Sequence, residues 1–595
     1  MKKIGLSRAH KALLCSGVAV GVLVAASHAQ AANIDVGNGD WAVSWNNTFK
    51  YSDAVRLLNP NSTVAQIAQP GNSNLSQGDL NFKAGNLISN RFDLLSEFDA
   101  VYQDNTGVRV SAAAWYDAAY FNKTANNSII ATNNITRGAN EFPIGTQNTN
   151  GEDIMLMDAL AFHKFSLPGG QSLDVRVGRF AQLYGETLFM GANGIAEAQG
   201  PVDVIKAESV PNSTFKEIMM PVGQVALSYE AGHGVLIGAY YQFEYRPDYL
   251  PGVGSYFSTA NIVGPGNESV WVPGSLPSTN YSGAFLYHGH DQMPSNQGQF
   301  GAEVRVHVSD NWELGFYGAN YHEKDPAAVY FNLRNGPPVL QTFADGANGV
   351  NVGSYDWVYN QSVQTVGASF ATAVGETNVS GEVSVRHNQS LNTSDSAGGN
   401  GGAVFANGAS NNTNNTQYLR GDTFHANVSA IGLMPGNQIW GGAAVIGEIG
   451  FNDLLNIINK NSMAQVASPG GMVMDRLSLN PTSTNAAAAF RGTFEPSFFQ
   501  VIPNVDVTTP IGLGLGLFGR SAIGPNIGNF DPGGTADLSL GVTAVYNEVW
   551  HAALNYTSYL GPKAQFTAGG AARYSSYGQD LYDRDFLSFS LTRAF

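Results

Sequence analysis

The chain has a single cysteine, Cys15. It lies in an N-terminal segment read as a leader, so the mature protein is expected to hold no thiol. That excludes a disulfide framework, a thiol nucleophile and a Cys-based metal site. Charge is also sparse, at 13% of residues, and acids exceed bases by 46 to 30 for a formal net charge of −16. An acidic surface repels nucleic acid, which removes that class of partner. Beyond the leader, no stretch approaches the ~18 consecutive apolar residues of a spanning helix. Catalytic signatures are missing too: there is no His-Glu-x-x-His and no Gly-x-Ser-x-Gly. No catalytic residue, metal or cofactor is expected, and the protein is not read as an enzyme.

The leader itself is present in full order. Lys2, Lys3, Arg8 and Lys11 precede an apolar run from Ala12 to Ala26, and Ala29 and Ala31 are small enough for signal-peptidase cleavage. This order is that of a secretory signal peptide over residues 1–31, leaving 32–595 as one mature domain. Its removal takes four bases and no acids, moving the net charge from −16 to −20. Composition shifts nowhere along the remainder, so no second domain is marked.

What is abundant is alternation. Val108, Val110, Ala112, Ala114 and Tyr116 share one face against Arg109 and Ser111. Leu173, Val175 and Val177 oppose Asp174 and Arg176; Val235 to Tyr245, Val379 to His387 and Leu538 to Tyr546 repeat the pattern. Phe300, Ala302, Val304, Val306 and Val308 oppose Glu303, Arg305 and His307. Successive strand side chains point to opposite faces. Strands of ~10 residues are long enough to cross a bilayer at a tilt. Aromatics at strand ends (Trp115-Tyr116, Tyr240-Tyr241, Trp312, Trp550) suit an interfacial girdle, and the loops Asn122–Asn150 and Asn388–Gln417 are long and rich in Asn, Gly and Ser. The fold expected is all-β: one large antiparallel transmembrane β-barrel of roughly 14 to 18 strands, with both termini periplasmic and long loops outside. The last residues, Asp585 to Phe595, alternate up to a terminal aromatic. They resemble the C-terminal strand signal read by the outer-membrane assembly machinery, with Arg593 as a mild departure.

The polar face then faces the lumen, since an Arg or Lys at the lipid midplane costs ~2–4 kcal/mol. Glu97, Arg109, Arg176, Glu303, Arg305, Glu382 and Arg386 are the strand candidates for a lumen wall. They are read either as a salt-bridge ladder that stiffens the barrel or as the lining of a permeation path. One segment, Gly194–Pro221, breaks the alternation with three prolines and several charges, among them Asp203 and Glu217. A long irregular loop of this kind is usually functional. It is expected to fold into the lumen as a constriction; an external surface loop is the alternative. Ile511–Gly516 is glycine-rich without a phosphate-loop lysine and reads as a barrel strand. His288-Gly289-His290-Asp291 lacks a fourth ligand and reads as a solvated loop.

Several of these stretches also resemble a known family. They include Gly78-Asp79-Leu80-Asn81-Phe82, Ser96-Glu97-Phe98-Asp99, Arg176-Val177-Gly178-Arg179, Tyr184-Gly185-Glu186, Asn193-Gly194-Ile195, Lys216-Glu217-Ile218, Gly421-Asp422-Thr423-Phe424-His425 and Asp583-Arg584-Asp585-Phe586. In order and spacing they resemble the uncharacterised proteobacterial outer-membrane family called domain of unknown function 1302, from about Gly37 to the end; Asn86 stands where an acidic residue is usual. The resemblance implies an outer-membrane barrel without established activity, sometimes accompanying periplasmic or inner-membrane transport partners. It adds Arg179 and Glu186 to the lumen or constriction candidates. The expected function is an outer-membrane channel for passive passage of small or hydrophobic solutes. Acids outnumbering bases in the lumen would favour cations or neutral solutes. Expected partners are lipid and lipopolysaccharide, the barrel-assembly machinery and a small solute. The alternatives are a plugged barrel that docks envelope proteins and a barrel lipid hydrolase.

Overall fold

A computed structural model describes residues 32–595 apart from 35, 37–38, 66–73, 75–76, 130, 273–282, 345, 347, 395–402, 406–409, 469–470, 525–529, 565, 570–571 and 576–577. Residues 1–31, expected to be a leader and carrying Cys15, lie outside the described residues.

The alternating stretches form one closed antiparallel barrel of 18 strands. In chain order they are β1 (Trp41–Arg56), β2 (Leu87–Tyr102), β3 (Thr106–Asp117), β4 (Glu152–Leu167), β5 (Gln171–Phe180), β6 (Val222–Gly232), β7 (Val235–Gln242), β8 (Gln299–Ser309) and β9 (Trp312–Tyr321). Then follow β10 (Val363–Val374), β11 (Thr377–Ser390), β12 (Arg420–Pro435), β13 (Gly442–Ile457), β14 (Ala486–Ile502), β15 in two pieces (Val505–Thr508 and Ile511–Phe518), β16 (Ala536–Tyr546), β17 (Trp550–Leu560) and β18 (Phe586–Ala594). Each strand pairs with its neighbour in sequence, and β18 closes the ring on β1 from Thr48↔Ala594 to Arg56↔Phe586. Closure leaves no long unpaired edge in a medium that cannot hydrogen-bond to one.

Register assigns each residue a face. Phe300, Val304 and Val308 of β8, Phe316 of β9, Val366 of β10, Ile449 of β13 and Leu554 of β17 are exposed on the outer surface. A belt of exposed apolar side chains around a closed barrel is stable only against lipid. The same phase points Glu303 and Arg305 of β8 and Glu382 and Arg386 of β11 inward. Trp115 and Tyr240, expected in the aromatic girdle, take the inward phase instead, whereas Tyr116, Tyr241, Trp312 and Trp550 point out.

The two ends of the barrel differ. At the end carrying both termini, strands join by tight turns such as His233-Gly234, where both residues have positive φ (53° and 75°). That is the backbone of a two-residue hairpin matched to strand twist. All the long connections lie at the opposite end. These long loops carry secondary structure of their own. Short strands at Ser269–Trp271, Gly283–His288, Ala328–Leu333, Val339–Thr342, Asn348–Val358, Ala403–Phe405, Met463–Ser468 and Gly471–Arg476 assemble a second sheet. Gly283–His288 runs parallel to Asn348–Val358 within it. Its apolar side packs Leu250, Val270, Leu286, Val329, Trp357 and Tyr359 into a cluster. The expected strand Val235–Tyr245 ends at Gln242, with Phe243 still donating to the Gly223 carbonyl (3.0 Å).

Candidate functional site

The connection from β5 to β6, residues 181–221, turns into the barrel. It starts earlier than the Gly194–Pro221 segment singled out by composition, and the added residues make most of its bonds to the wall. Glu448, inward on β13, accepts from the backbone N–H groups of Leu188 (3.3 Å), Phe189 (2.5 Å) and Met190 (2.8 Å) and from the Thr187 hydroxyl (2.9 Å). Glu382 on β11 accepts from the N–H groups of Glu186 (2.6 Å) and Ile195 (2.9 Å). Arg386, four residues along the same strand and on the same face, donates to the carbonyls of Ala192 (3.0 Å) and Gly194 (2.8 Å). Asn193 donates to Asn427 of β12 (2.6 Å), and Arg305 of β8 donates to Glu186 (3.1 Å). A carboxylate buried without partners would be very costly; here each is held by N–H donors, which makes the arrangement stable and specific.

The loop then crosses the lumen. Gln242 of β7 donates to the Gln199 carbonyl (2.5 Å), and Tyr240 to that of Ala198 (3.1 Å). Asp203 caps the short helix Val204–Ser209 by accepting from the Lys206 N–H (2.9 Å), and Glu217 forms a capping box with Thr214. At the far side Asn212 reaches the wall, its side-chain oxygen accepting from Ser539 of β16 (3.1 Å). The glycine-rich stretch explains this approach: Gly512, Gly514 and Gly516 all face inward on β15. A Cβ on Gly512 would occupy the space of Asn212 and Ser539.

The candidate residues therefore fall into four groups. Glu303, Glu382 and Arg386 of the wall are buried under the loop together with the loop's own Glu186, and Arg305 bridges Glu186 to Glu313. Asp203 and Glu217 belong to the loop and cap its helices. Glu97, Arg109 and Arg176 face an uncovered part of the lumen; Arg109 pairs with Asp99 (2.7 Å) and Arg176 with Asp174 (3.4 Å). Arg179 departs from the expectation. It shares the phase of Val175 and Val177 and pairs with Glu244 at the rim, opposite Gly223. Glu448 and Asn193, the strongest anchors, were not among the strand candidates. Nor were Lys50 and Arg91 on the uncovered wall. Burial outweighs the nearby Arg305 and pushes the Glu186 carboxyl up to about 7.

The uncovered wall is the complement of the covered one. The loop covers much of the inner faces of β7 to β13, though His307 of β8 stays exposed. From β17 through the closure to β5, several inward charged side chains keep solvent contact, among them Arg109 and Arg176. The contrast is large: the Arg109 side chain is 46% exposed, whereas Glu448 is 1% exposed. Among the described residues, no group of three or more His, Cys, Asp or Glu is placed to hold a metal. His288 bonds Asp291 (2.9 Å), whose carboxylate also accepts from the Trp357 N–H (2.9 Å), so this motif ties the external sheet together.

Fold and site together define a class: a transmembrane β-barrel of the Gram-negative outer membrane, narrowed by a loop folded into its lumen. The chain belongs to the family described as protein of unknown function (DUF1302), which matches residues 12–595. No curated protein matches it. Solved structures that resemble it include Acinetobacter baumannii OccAB1, at 10% identity and a TM-score of 0.39, covering 96% of this chain and 99% of that one. Pseudomonas aeruginosa OccK1 (OpdK) is similar at 8% identity and a TM-score of 0.37, covering 93% and 98%. The outer membrane channel DcaP of Acinetobacter baumannii is similar at 8% and 0.34, covering 94% and 98%. Likeness at this level carries no solute or mechanism over to this chain.

Proposed function

We propose that this protein is an outer-membrane channel in which solutes pass by diffusion along the uncovered wall. The observation that carries the reading is the one-sided anchoring of residues 181–221. Their polar contacts are concentrated on β7 to β13, and the opposite wall keeps charged side chains in contact with water. Glu97, Arg109 and Arg176 then line the path, while Glu186, Glu303, Arg305, Glu382 and Arg386 position the constriction and Asp203 and Glu217 shape it. The domain assignment follows the same reading: a cleaved leader over 1–31 and a barrel over 32–595. The alternating C-terminal strand suits recognition by the barrel-assembly machinery, and lipopolysaccharide would surround the loop end.

Refolded protein in planar bilayers tests this. Wild type should pass discrete current steps, and deleting Val202–Ser213 should enlarge them at least about threefold by widening the constriction. A barrel that conducts in no condition, with or without the deletion, would instead support a docking role. Hydrolysis of labelled phospholipid by non-conducting protein would support the lipid-hydrolase alternative.

A further inference from the structure

Two of the stretches shared with the family, Gly78-Asp79-Leu80-Asn81-Phe82 and Asp583-Arg584-Asp585-Phe586, take no part in anchoring the lumen loop. They meet instead at the loop end of the seam where β18 closes on β1. Arg56, the last residue of β1, is fully buried there. Its guanidinium donates to the carbonyls of Asp79 (2.6 Å), Phe82 (2.9 Å) and Asp583 (3.0 Å) and to the Asp79 carboxylate (2.6 Å). The Asp583 carboxylate lies 3.4 Å from the same guanidinium and accepts from the Asn61 N–H. Arg584, also buried, donates to the carbonyls of Tyr256 and Ser258. Asp585 accepts from the Tyr559 N–H (3.1 Å) and the Tyr556 hydroxyl (2.9 Å) of β17, and its carbonyl from the Leu57 N–H (2.8 Å). Gly78 permits the close approach, since a Cβ there would strike the carbonyl oxygens of Ser255 and Ser258. Phe82, Tyr256 and Phe586 pack around the charges in one apolar cluster. Residues 57–86, 243–298 and 561–585 are thus tied together at one point.

The seam is where register is least defined by other means. β1 pairs with β2 from Trp41 to Val55 but with β18 from Thr48 to Arg56. No turn joins β1 to β18, so turn geometry cannot set their register as it does in a hairpin. Alternation decides only which face points outward. A slip of two residues keeps every face and moves each partner by ~7 Å. That shift would take Arg56 away from Asp583, and a buried charge that loses its partner is strongly disfavoured. The polar knot is satisfied in the observed pairing, Arg56↔Phe586, and not in its slipped neighbours.

We propose that Arg56, Asp79, Asp583 and Arg584 form a register latch for barrel closure. The latch forms when β18 meets β1 and selects their pairing against slips of two residues. Its parts come from both ends of the chain, so it is completed only when the wall is closed. It belongs to the fold and holds for an open or a plugged lumen alike.

Disulfide trapping across the seam tests this. In a Cys15→Ser background, Ser52→Cys is combined with Ser590→Cys, its direct partner. It is combined separately with Ser588→Cys or Thr592→Cys, which become direct partners after a slip. Directly opposed positions are within disulfide reach, and diagonal ones, at ~7–8 Å, are not. Oxidation of the protein in outer membranes should link position 52 to 590 and to neither alternative. Arg56→Lys, which keeps the charge without the fork, and Asp583→Asn, which keeps the shape without the charge, should each cut that link several-fold and raise a link to 588 or 592. Arg56→Met should do so more strongly. Lys123→Gln breaks an exposed ion pair with Glu141 in another external connection and should change nothing. Linkage confined to positions 52 and 590 in all three latch variants overturns the proposal. Because no current is read, that failure leaves the channel reading standing.

Discussion

Glu448 and Arg109 occupy the same kind of position, an inward site on a barrel strand, and meet opposite fates. Glu448 is sealed under four donors from one loop; Arg109 keeps a solvated guanidinium paired to Asp99. The difference arises outside the wall. A barrel of this width is not filled by its own side chains, so what enters the lumen decides which polar residues become anchors and which become lining. On the covered side, charges act as acceptors and donors for backbone and lose contact with water. On the open side, similar charges pair loosely and remain hydrated, where each pair contributes at most ~1 kcal/mol.

The comparison can be broken most severely at the covered wall. Glu448→Ala removes the acceptor for three N–H groups and a hydroxyl, and hydrogen bonds to a charged group contribute ~1.5–3 kcal/mol each. The tip at 187–190 should detach, seen as noisy, enlarged current and as new protease cleavage within 181–221. Barrel assembly, read by heat-modifiable gel mobility, should be unchanged. Gly512→Val should act more mildly from the far side. Its side chain would displace Asn212 without disturbing the Glu448 anchor, so the expected result is a moderate rise in conductance with little added noise.

The smallest effect is that of pH. The folded Glu186 carboxyl sits at about 7, above its ordinary 4.5, because burial disfavours the charge. Glu197, buried beside Asp248, is pushed up to about 8. Carboxyls raised in this way support docking fully below their ordinary range and lose that support as pH rises through the folded values. Loop-opening events should therefore be rarer at pH 5 than at pH 8, and Glu186→Gln should flatten the dependence. Equal gating at both pH values would argue that these carboxyls do not govern docking.

Much of the barrel was legible because lipid enforces a strict period of two. The phases of β3, β5, β8, β11 and β16 follow directly from their apolar residues, and with them the inward placement of Arg109, Arg176, Glu303, Arg305, Glu382 and Arg386. The same rule places Arg179 with Val175 and Val177; resemblance to a family motif pointed the other way, and the strand phase was the better guide. Glu448 was readable in principle, alternating against Val445 and Ile449, but the stretch is short of strong contrast beside Gly447 and Gly450. What the pattern does not encode is coverage. Thr187 and Glu448 are 261 residues apart in the chain, and only the path of the loop brings them together. The external sheet escaped notice for a related reason. Its strands are mostly three to six residues long and some pair in parallel with distant partners, so no local alternation of useful length marks them.

The one-sided lumen can be measured with single cysteines, since the chain has one native cysteine, Cys15, in the segment proposed to be a cleaved leader. Arg109→Cys places a thiol on the uncovered wall, and Ser384→Cys, nearly isosteric, places one inward on β11 beneath the loop, where Ser384 is 3% exposed. A charged, membrane-impermeant thiol reagent should label the first quickly in intact outer membranes and the second only after Val202–Ser213 is deleted or Glu448 is replaced. Equal labelling of both in the otherwise native protein would contradict the account.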